Sequence, residues 1–202
     1  MRTDPKAPKH DGITFILFDI NQPGVTVKPI LLISGTSPFC ETFFDNARAL
    51  KKNVVGEVNK GWTVAKRLLQ YERTSIGGIG GGTQAAAKLE DIAKTYLGED
   101  AGRIADNASR QRVIAHRMND RSFALTLRRT QEESQSGRAP GAASSMFKYY
   151  GTEQNIRKYE LLLSIMGTRA LGWEGAHFAP DELTTTRAWL RTKANSIEGG
   201  TS

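Results

Sequence analysis

Cysteine is nearly missing from this sequence: Cys40 stands alone among 202 residues. A single thiol excludes an internal disulfide framework and fits a reducing cytosol. Cys40 falls in an apolar stretch with no histidine nearby, so a buried structural thiol is expected rather than a nucleophile. Histidine is almost as scarce. His10, His116 and His177 are scattered, and none has a second ligand at helical or hairpin spacing, so no metal is expected. Long apolar runs are lacking too. Those around Ile13 to Phe18 and Ile30 to Ile33 fall far short of the roughly 20 residues of a membrane span. Met1 to His10 is polar and lacks the charged-then-apolar pattern of a secretory signal. These absences together predict a soluble, cytoplasmic protein. No G-x-S-x-G elbow occurs, so serine hydrolysis has no support.

What is present is an ordinary globular composition, 39% hydrophobic and 24% charged, which excludes disorder throughout. The net charge of +7 raises the question of nucleic acid. The basic residues are interleaved with acids, with only short groupings such as Arg110-Gln111-Arg112 and Arg128-Arg129. No helix-turn-helix, zinc-ligand or aromatic RNA-binding pattern accompanies them, so nucleic acid is not the expected partner. The same charge suits small ligands carrying phosphates.

The chain changes character near Gly61. Before it the pattern is extended. After a loop over residues 1–11, Ile13 to Ile20 reads as a strand, and Asn21-Gln22-Pro23-Gly24 as a tight turn. Val25 to Ile30 alternates as a half-buried return strand should. Phe39 to Asp45 reads as a third strand, and Val54-Val55-Gly56-Glu57 as a short fourth. Three or four strands make half a sheet rather than a domain.

From Gly61 onward the signals are helical. A first long helix carries Trp62, Ala65, Leu68, Leu69 and Ile76 at three- and four-residue steps, the mark of one buried stripe. It then meets Gly77-Gly78-Ile79-Gly80-Gly81-Gly82. A phosphate loop needs a preceding strand, which this run lacks, so a glycine-rich helix interior is the reading. Helix resumes over Gln84 to Leu89. A second helix is expected from Ile104 or Ser109 to Ser134, and a breaker follows at Ser136 to Gly141. A third spans Ala143 to Met166. After a connector from Gly167 to Pro180, Asp181 is expected to cap a last helix through Lys193. Trp62, Trp173 and Trp189 read as packing anchors. The closing Glu198-Gly199-Gly200-Thr201-Ser202 has the make-up of a loop that starts a helix, with hydroxyls to cap and amides to bind an anion. Both ends read as cuts, with a last helix missing.

One residue breaks the pattern. Glu72 falls on the apolar stripe, four residues after Leu68 and four before Ile76. Most helix carboxylates are simply solvated, and that reading stands beside a catalytic one. Burial would raise the pKa of such a carboxyl toward neutrality, where a general base is most useful. Arg73 beside it could hold the ionised form or orient a substrate. Glu198, before the double glycine, is a second carboxylate of interest.

Several segments resemble acyl-CoA dehydrogenases. Asp11 to Phe15, running on through Pro23-Gly24-Val25, is similar to that family's later β-domain strands. Phe43-Phe44-Asp45-Asn46-Ala47-Arg48 is similar to the strand leading into its helical domain. The match continues through Asn53 to Trp62 and through Leu69-Gln70-Tyr71-Glu72-Arg73-Thr74. Ile197 to Ser202 is similar to the flavin-side loop before the family's last helix. The resemblance implies an α+β chain: the C-terminal part of an antiparallel β domain over residues 1–58, then an up-and-down four-helix bundle over 59–202. It implies FAD-dependent conversion of an acyl-CoA to its 2-enoyl-CoA. The electron-transfer flavoprotein would be the acceptor, a homodimer or homotetramer the assembly, and fatty acid metabolism the setting. The family base sits either directly before Gly-Thr-Ser or on the first helix in a Glu-Arg context. Gly199 fills the first location, so the resemblance implies Glu72 as base, with Glu198 as second choice and Arg73 toward substrate. Gly199, Gly200 and Thr201 are implied to bind FAD. The family's Arg-x-x-Phe-Gly stretch is absent, and the strands that grip the flavin ring are not in this sequence. The chain by itself is therefore expected to be an inactive fragment. An acyl-CoA oxidase and a non-catalytic helical scaffold are the alternatives.

Overall fold

The computed structural model describes residues 1–77, 82–136 and 144–198. The side chains at 70–77, 82–88, 134, 144 and 145 lie outside that description. The chain folds as two compact units, residues 1–32 with 36–75, and residues 33–35 with 76–202.

The first unit is built from short antiparallel pairs. β1 (Phe15–Ile16) pairs with β4 (Val54–Val55), and β2 (Val25–Ile30) pairs with β3 (Phe39–Phe44) in register from Val25 opposite Phe44 to Ile30 opposite Phe39. The turn into β2 is as expected. The Val25 N–H donates to the Gln22 carbonyl at 3.2 Å, and Gly24 takes φ +84°, the left-handed position of a type II turn. A Cβ there would lie 2.1 Å from the Asp45 carbonyl oxygen, so only glycine fits.

Three expectations for this unit need correction. The strand predicted over Ile13 to Ile20 is paired only at Phe15–Ile16. Asp19 then accepts the Asn21 N–H at 2.8 Å and its carbonyl accepts Gln22 Nε2, local bonds that compete with a ladder. Second, β2 returns along β3 instead of along the first strand. Third, β2 is not half-buried: Val27 and Ile30 are 47% and 39% exposed, and Phe43 and Phe44 on its partner β3 are 48% and 59% exposed. A two-stranded ribbon offers neither of its faces a covering layer of its own. Cys40 shares that ribbon and is exposed rather than buried.

α1 (Gly61–Gly77) begins where the Gly61 N–H donates to the Ile13 carbonyl at 2.7 Å. Near its start Trp62 stacks on His10, with ring centroids 4.0 Å apart and planes 2° from parallel. The predicted buried stripe is not buried at its centre: Leu68 is 56% and Leu69 43% exposed. The periodicity fixes an amphipathic helix, but a stripe is covered only where a neighbouring element reaches it.

The second unit holds α2 (Gly82–Leu97), α3 (Asn107–Gln135), α4 (Ser144–Met166) and α5 (Pro180–Asn195). The single first helix expected through the glycine run is represented by α1 and α2, and the run's interior lies outside the described residues. α2 packs on α3 and α4, α3 on α4, and α4 on α5. Leu89 and Ala93 from α2, Val113 from α3, and Leu161, Leu162 and Ile165 from α4 form the core, all at most 6% exposed. Leu89 and Ala93 stand four residues apart, as do Leu161 and Ile165, so α2 and α4 each turn one stripe inward. α3 and α4 come close at Gly151, where a Cβ would lie 3.1 Å from the Phe123 ring. Phe123 also meets Phe147 edge-on at 6.0 Å and Tyr150 at 5.3 Å.

A small hairpin, β5 (Glu99–Asp100) with β6 (Arg103–Ile104), joins α2 to α3 and was not expected from the sequence. It delivers Ile104 to the core. The connector after α4 opens with a 3-10 turn at Gly167–Leu171. The start of α5 also differs from expectation. Asp181 lies in the first turn, and Ala179 is the N-cap. The Glu182 carboxylate reaches back to accept the Ala179 N–H at 2.7 Å, the reciprocal half of a capping box, while alanine at the N-cap offers no side-chain acceptor. An α+β chain with a partial antiparallel β region and a helical bundle is therefore what folds.

Candidate functional site

The candidate residues fall in both units. Glu72 and Arg73 lie in the fourth turn of α1, in helical conformation, with side chains outside the described residues. Gly199, Gly200 and Thr201 lie outside the described residues altogether. Glu198 is described, and its surroundings are specific.

α5 ends at Asn195, and residues 196–198 continue as a turn. The Ile197 and Glu198 N–H groups both donate to the Ala194 carbonyl, at 3.0 and 2.9 Å. That curl folds Glu198 back along the helix. Its Oε2 accepts Arg191 Nη2 at 2.8 Å and its Oε1 accepts Asn195 Nδ2 at 2.6 Å. The network reaches α4 twice: Asn155 Nδ2 donates to Asn195 Oδ1 at 3.3 Å, and Lys148 Nζ donates to the Ser196 carbonyl at 2.8 Å. Burial pushes the Glu198 carboxyl up, but the hydrogen bonds from Arg191 and Asn195 and the charges of Arg191 and Lys148 outweigh it. The group is held below the usual carboxylate range and stays ionised at neutral pH.

Sequence reasoning named Glu198 but missed Arg191, Asn195, Asn155 and Lys148. Asn195 stands three residues before Glu198, a helical spacing that could have flagged it. Nothing local points to Asn155, 40 residues from Asn195.

Two titratable side chains, Glu182 and His116, are buried in the second unit. Tyr96 Oη donates to Glu182 Oε1 at 2.8 Å, linking α2 to the start of α5. The Ala179 N–H first and the Tyr96 hydroxyl second hold the Glu182 carboxyl low, while burial and the Glu182 bond raise the Tyr96 phenol. On α3, His116 is 7% exposed, with Nε2 3.5 Å from Asp120 Oδ2. Burial pushes its pKa down, with the Lys158 charge acting the same way and Asp120 opposing. Its burial in the core thus favours the neutral imidazole. Among the described residues no group of three His, Cys, Asp or Glu could hold a metal ion, and no helix is long and apolar enough to cross a membrane. Trp173 and Trp189 each lie beneath a cation, Arg187 at 4.8 Å and Lys193 at 5.0 Å.

Comparison with known proteins gives a consistent result. Residues 59–202 match the family model for the acyl-CoA dehydrogenase C-terminal domain. The chain is 34% identical over 200 residues to acyl-CoA dehydrogenase FadE34 of Mycobacterium tuberculosis, covering 99% of this chain and 26% of that protein. It is 29% identical over 203 residues to acyl-CoA dehydrogenase IpdE1 of the same organism, covering all of this chain and 50% of that one. Among solved structures, the Tcur3481-Tcur3483 steroid ACAD superposes with a TM-score of 0.82 at 25% identity, over 98% of this chain and 50% of that chain. The chain thus spans half or less of the length of these relatives.

Proposed function

The chain belongs to the acyl-CoA dehydrogenase family, and from that premise we propose that the whole protein oxidises an acyl-CoA thioester to the 2-enoyl-CoA, with Glu72 as the base. The observation that carries this reading is the family match over residues 59–202, which takes in Glu72-Arg73 on α1 and has Gly199 directly before Gly200-Thr201-Ser202. With glycine at that place, no carboxylate is available there, and a helix-borne glutamate takes up the role.

FAD, when bound, would supply the two-electron oxidant that receives the hydride lost from the β-carbon of the acyl chain. Gly199, Gly200 and Thr201 would hold it through peptide N–H groups bare of side chains and one hydroxyl. The described flank fits such a group: the Glu198 charge is matched by Arg191, and Lys148 adds a further cation beside it. An anionic cofactor therefore meets no uncompensated negative charge there.

The Glu72 carboxylate takes the proton from the carbon α to the thioester carbonyl, and hydrogen bonds to that carbonyl make the proton more acidic. Arg73 holds the ionised base or orients the thioester. The electron-transfer flavoprotein takes the electrons onward, and the protein assembles as a homodimer or homotetramer. Because one similar structure is a steroid ACAD, a steroid-derived acyl-CoA belongs beside straight-chain acyl-CoAs among the substrates to try.

The test is α-proton exchange in deuterated water, followed on acyl-CoA bound to the FAD-loaded full-length protein. Glu72→Gln is expected to lower exchange by about 10²- to 10⁴-fold. Retained exchange in that variant would sink the assignment. Oxygen consumption without an acceptor protein would make the enzyme an oxidase, and a full-length protein that takes up no flavin would make it a scaffold.

A further inference from the structure

α3 and α4 pack against each other, and the middle of their seam is polar. His116, Asn119 and Asp120 stand on one side of α3, at three- and four-residue steps. Tyr150, Gln154 and Lys158 form a line on α4, each four residues from the next. Gln154 Nε2 donates to Tyr150 Oη at 3.2 Å, and Tyr150 Oη reaches Asn119 Oδ1 at 3.5 Å. Gln154 is 4% and His116 7% exposed, so both are shut from water.

One group in this seam is unsatisfied. His116 Nε2 is buried and makes no hydrogen bond among the described residues, with Asp120 Oδ2 3.5 Å away. A neutral imidazole tolerates this, because only one of its nitrogens carries a proton. A protonated ring carries two N–H donors and a full charge, and burial leaves both in need of partners. Asp120 supplies one negative charge from α3 and Lys158 one positive charge from α4. From α2, Glu90 is already matched by Arg117 at 2.7 Å and Lys94 at 3.7 Å, and Arg103 of β6 is exposed. With a neutral ring the seam is balanced. A proton leaves it with an excess positive charge.

We propose that the α3–α4 seam is an acid-sensitive latch with His116 as its trigger: closed while the ring is neutral, loosened when it takes up a proton. The latch is independent of the roles given to Glu72 and FAD. Desolvation holds the ring's pKa below the ordinary 6.5, with Asp120 opposing and Lys158 adding to it. The unfolded chain therefore takes up the proton first. The latch's contribution is complete above 6.5 and drains away as the pH falls toward the lowered folded value.

The experiment follows the His116 ring by NMR in the full-length protein, with urea unfolding from about pH 8 to about pH 5. The ring should titrate below 6.5. Asp120→Asn should move that titration further down, and Lys158→Met should move it up. The folding constant should fall by up to about tenfold per pH unit below 6.5, the linkage of one proton. His116→Gln, which stays polar and cannot titrate, should lose that part of the slope. Amide exchange, corrected for its intrinsic pH dependence, should speed up in α3 and α4 ahead of α5 as the pH falls. A ring that titrates at or above 6.5 in the folded protein would overturn the proposal. So would an acid slope unchanged in His116→Gln. Exchange in α3 and α4 that rises no faster than in α5 would leave a group of global stability and no latch. If His116→Gln does not fold, the ring titration still decides: one value shared by Asp120→Asn and Lys158→Met would remove the seam's charges as its cause.

Discussion

The two units of this chain bury their side chains very differently. Among the described residues, every buried hydrophobic lies in the helical unit, while the β2–β3 ribbon leaves Phe39, Phe43 and Phe44 between 45% and 59% exposed. Apolar content is comparable in the two, drawn from Phe, Val, Leu and Ile in the first unit and mainly from Ala, Leu and Ile in the second. The difference lies in geometry. A helix presents one stripe and finds a neighbouring helix to cover it, whereas a two-stranded ribbon has two faces and supplies a cover for neither. Apolar content alone therefore does not make a core.

The largest test of that contrast is Phe123→Ala in the helical unit. Removing a ring packed on Phe147, Tyr150 and Gly151 should cost about 3–5 kcal/mol in denaturant unfolding. A loss under about 1 kcal/mol would mean the helical unit is packed no better than the ribbon. Gly24→Ala comes next, at roughly 1–2 kcal/mol from the left-handed conformation alone. Its effect should show as faster amide exchange along β2 and β3, with core amides of α2 and α4 unmoved.

The third test uses pH. The Glu182 carboxyl is held below its usual value of 4.5, so the folded chain resists protonation there. Its stabilising effect is complete above that value and drains away as the pH falls through the lowered folded value. Tyr96 has the opposite sign. Its phenol is raised above 10.0, so its contribution is complete below 10.0 and is lost as the pH rises through the raised value. Tyr96→Phe should flatten both limbs of a melting-temperature profile. An unchanged acid limb in that variant would leave the Ala179 amide and the Arg169 charge as the partners of consequence. The smallest effect belongs to Phe43→Ser, expected within about 0.5 kcal/mol because its ring is already half exposed. A destabilisation of 2 kcal/mol or more would show that the ribbon is covered in the folded protein.

These same differences explain what could be read from the sequence. Helix ends were legible because their signals are local: Met166 before Gly167 closes α4 as expected, and α3 ends at Gln135, one residue past Ser134. The spans of β2 and β3 were legible from alternation, but their pairing was not. Pairing depends on residues far apart in the chain, and Pro23-Gly24 suggested the wrong neighbour. The apolar stripe of α1 was legible as a pattern, yet Leu68 and Leu69 show that periodicity does not reveal what covers it. At the candidate site the carboxylates could be named, because acids beside glycines or on apolar stripes stand out. The partners that give Glu198 its character come from another helix and left no local mark.

The placement of the tryptophans has a practical side. The sequence holds three, and the structure divides them: Trp62 lies flat against an imidazole in the first unit, while Trp173 and Trp189 lie beneath Arg187 and Lys193 in the second. Indole emission is sensitive to contact with imidazole and with cations. The protein therefore carries an optical reporter in each half. A chain keeping only Trp62 would signal the melting of the strand-rich half, and one keeping only Trp189 that of the helices, with no dye attached.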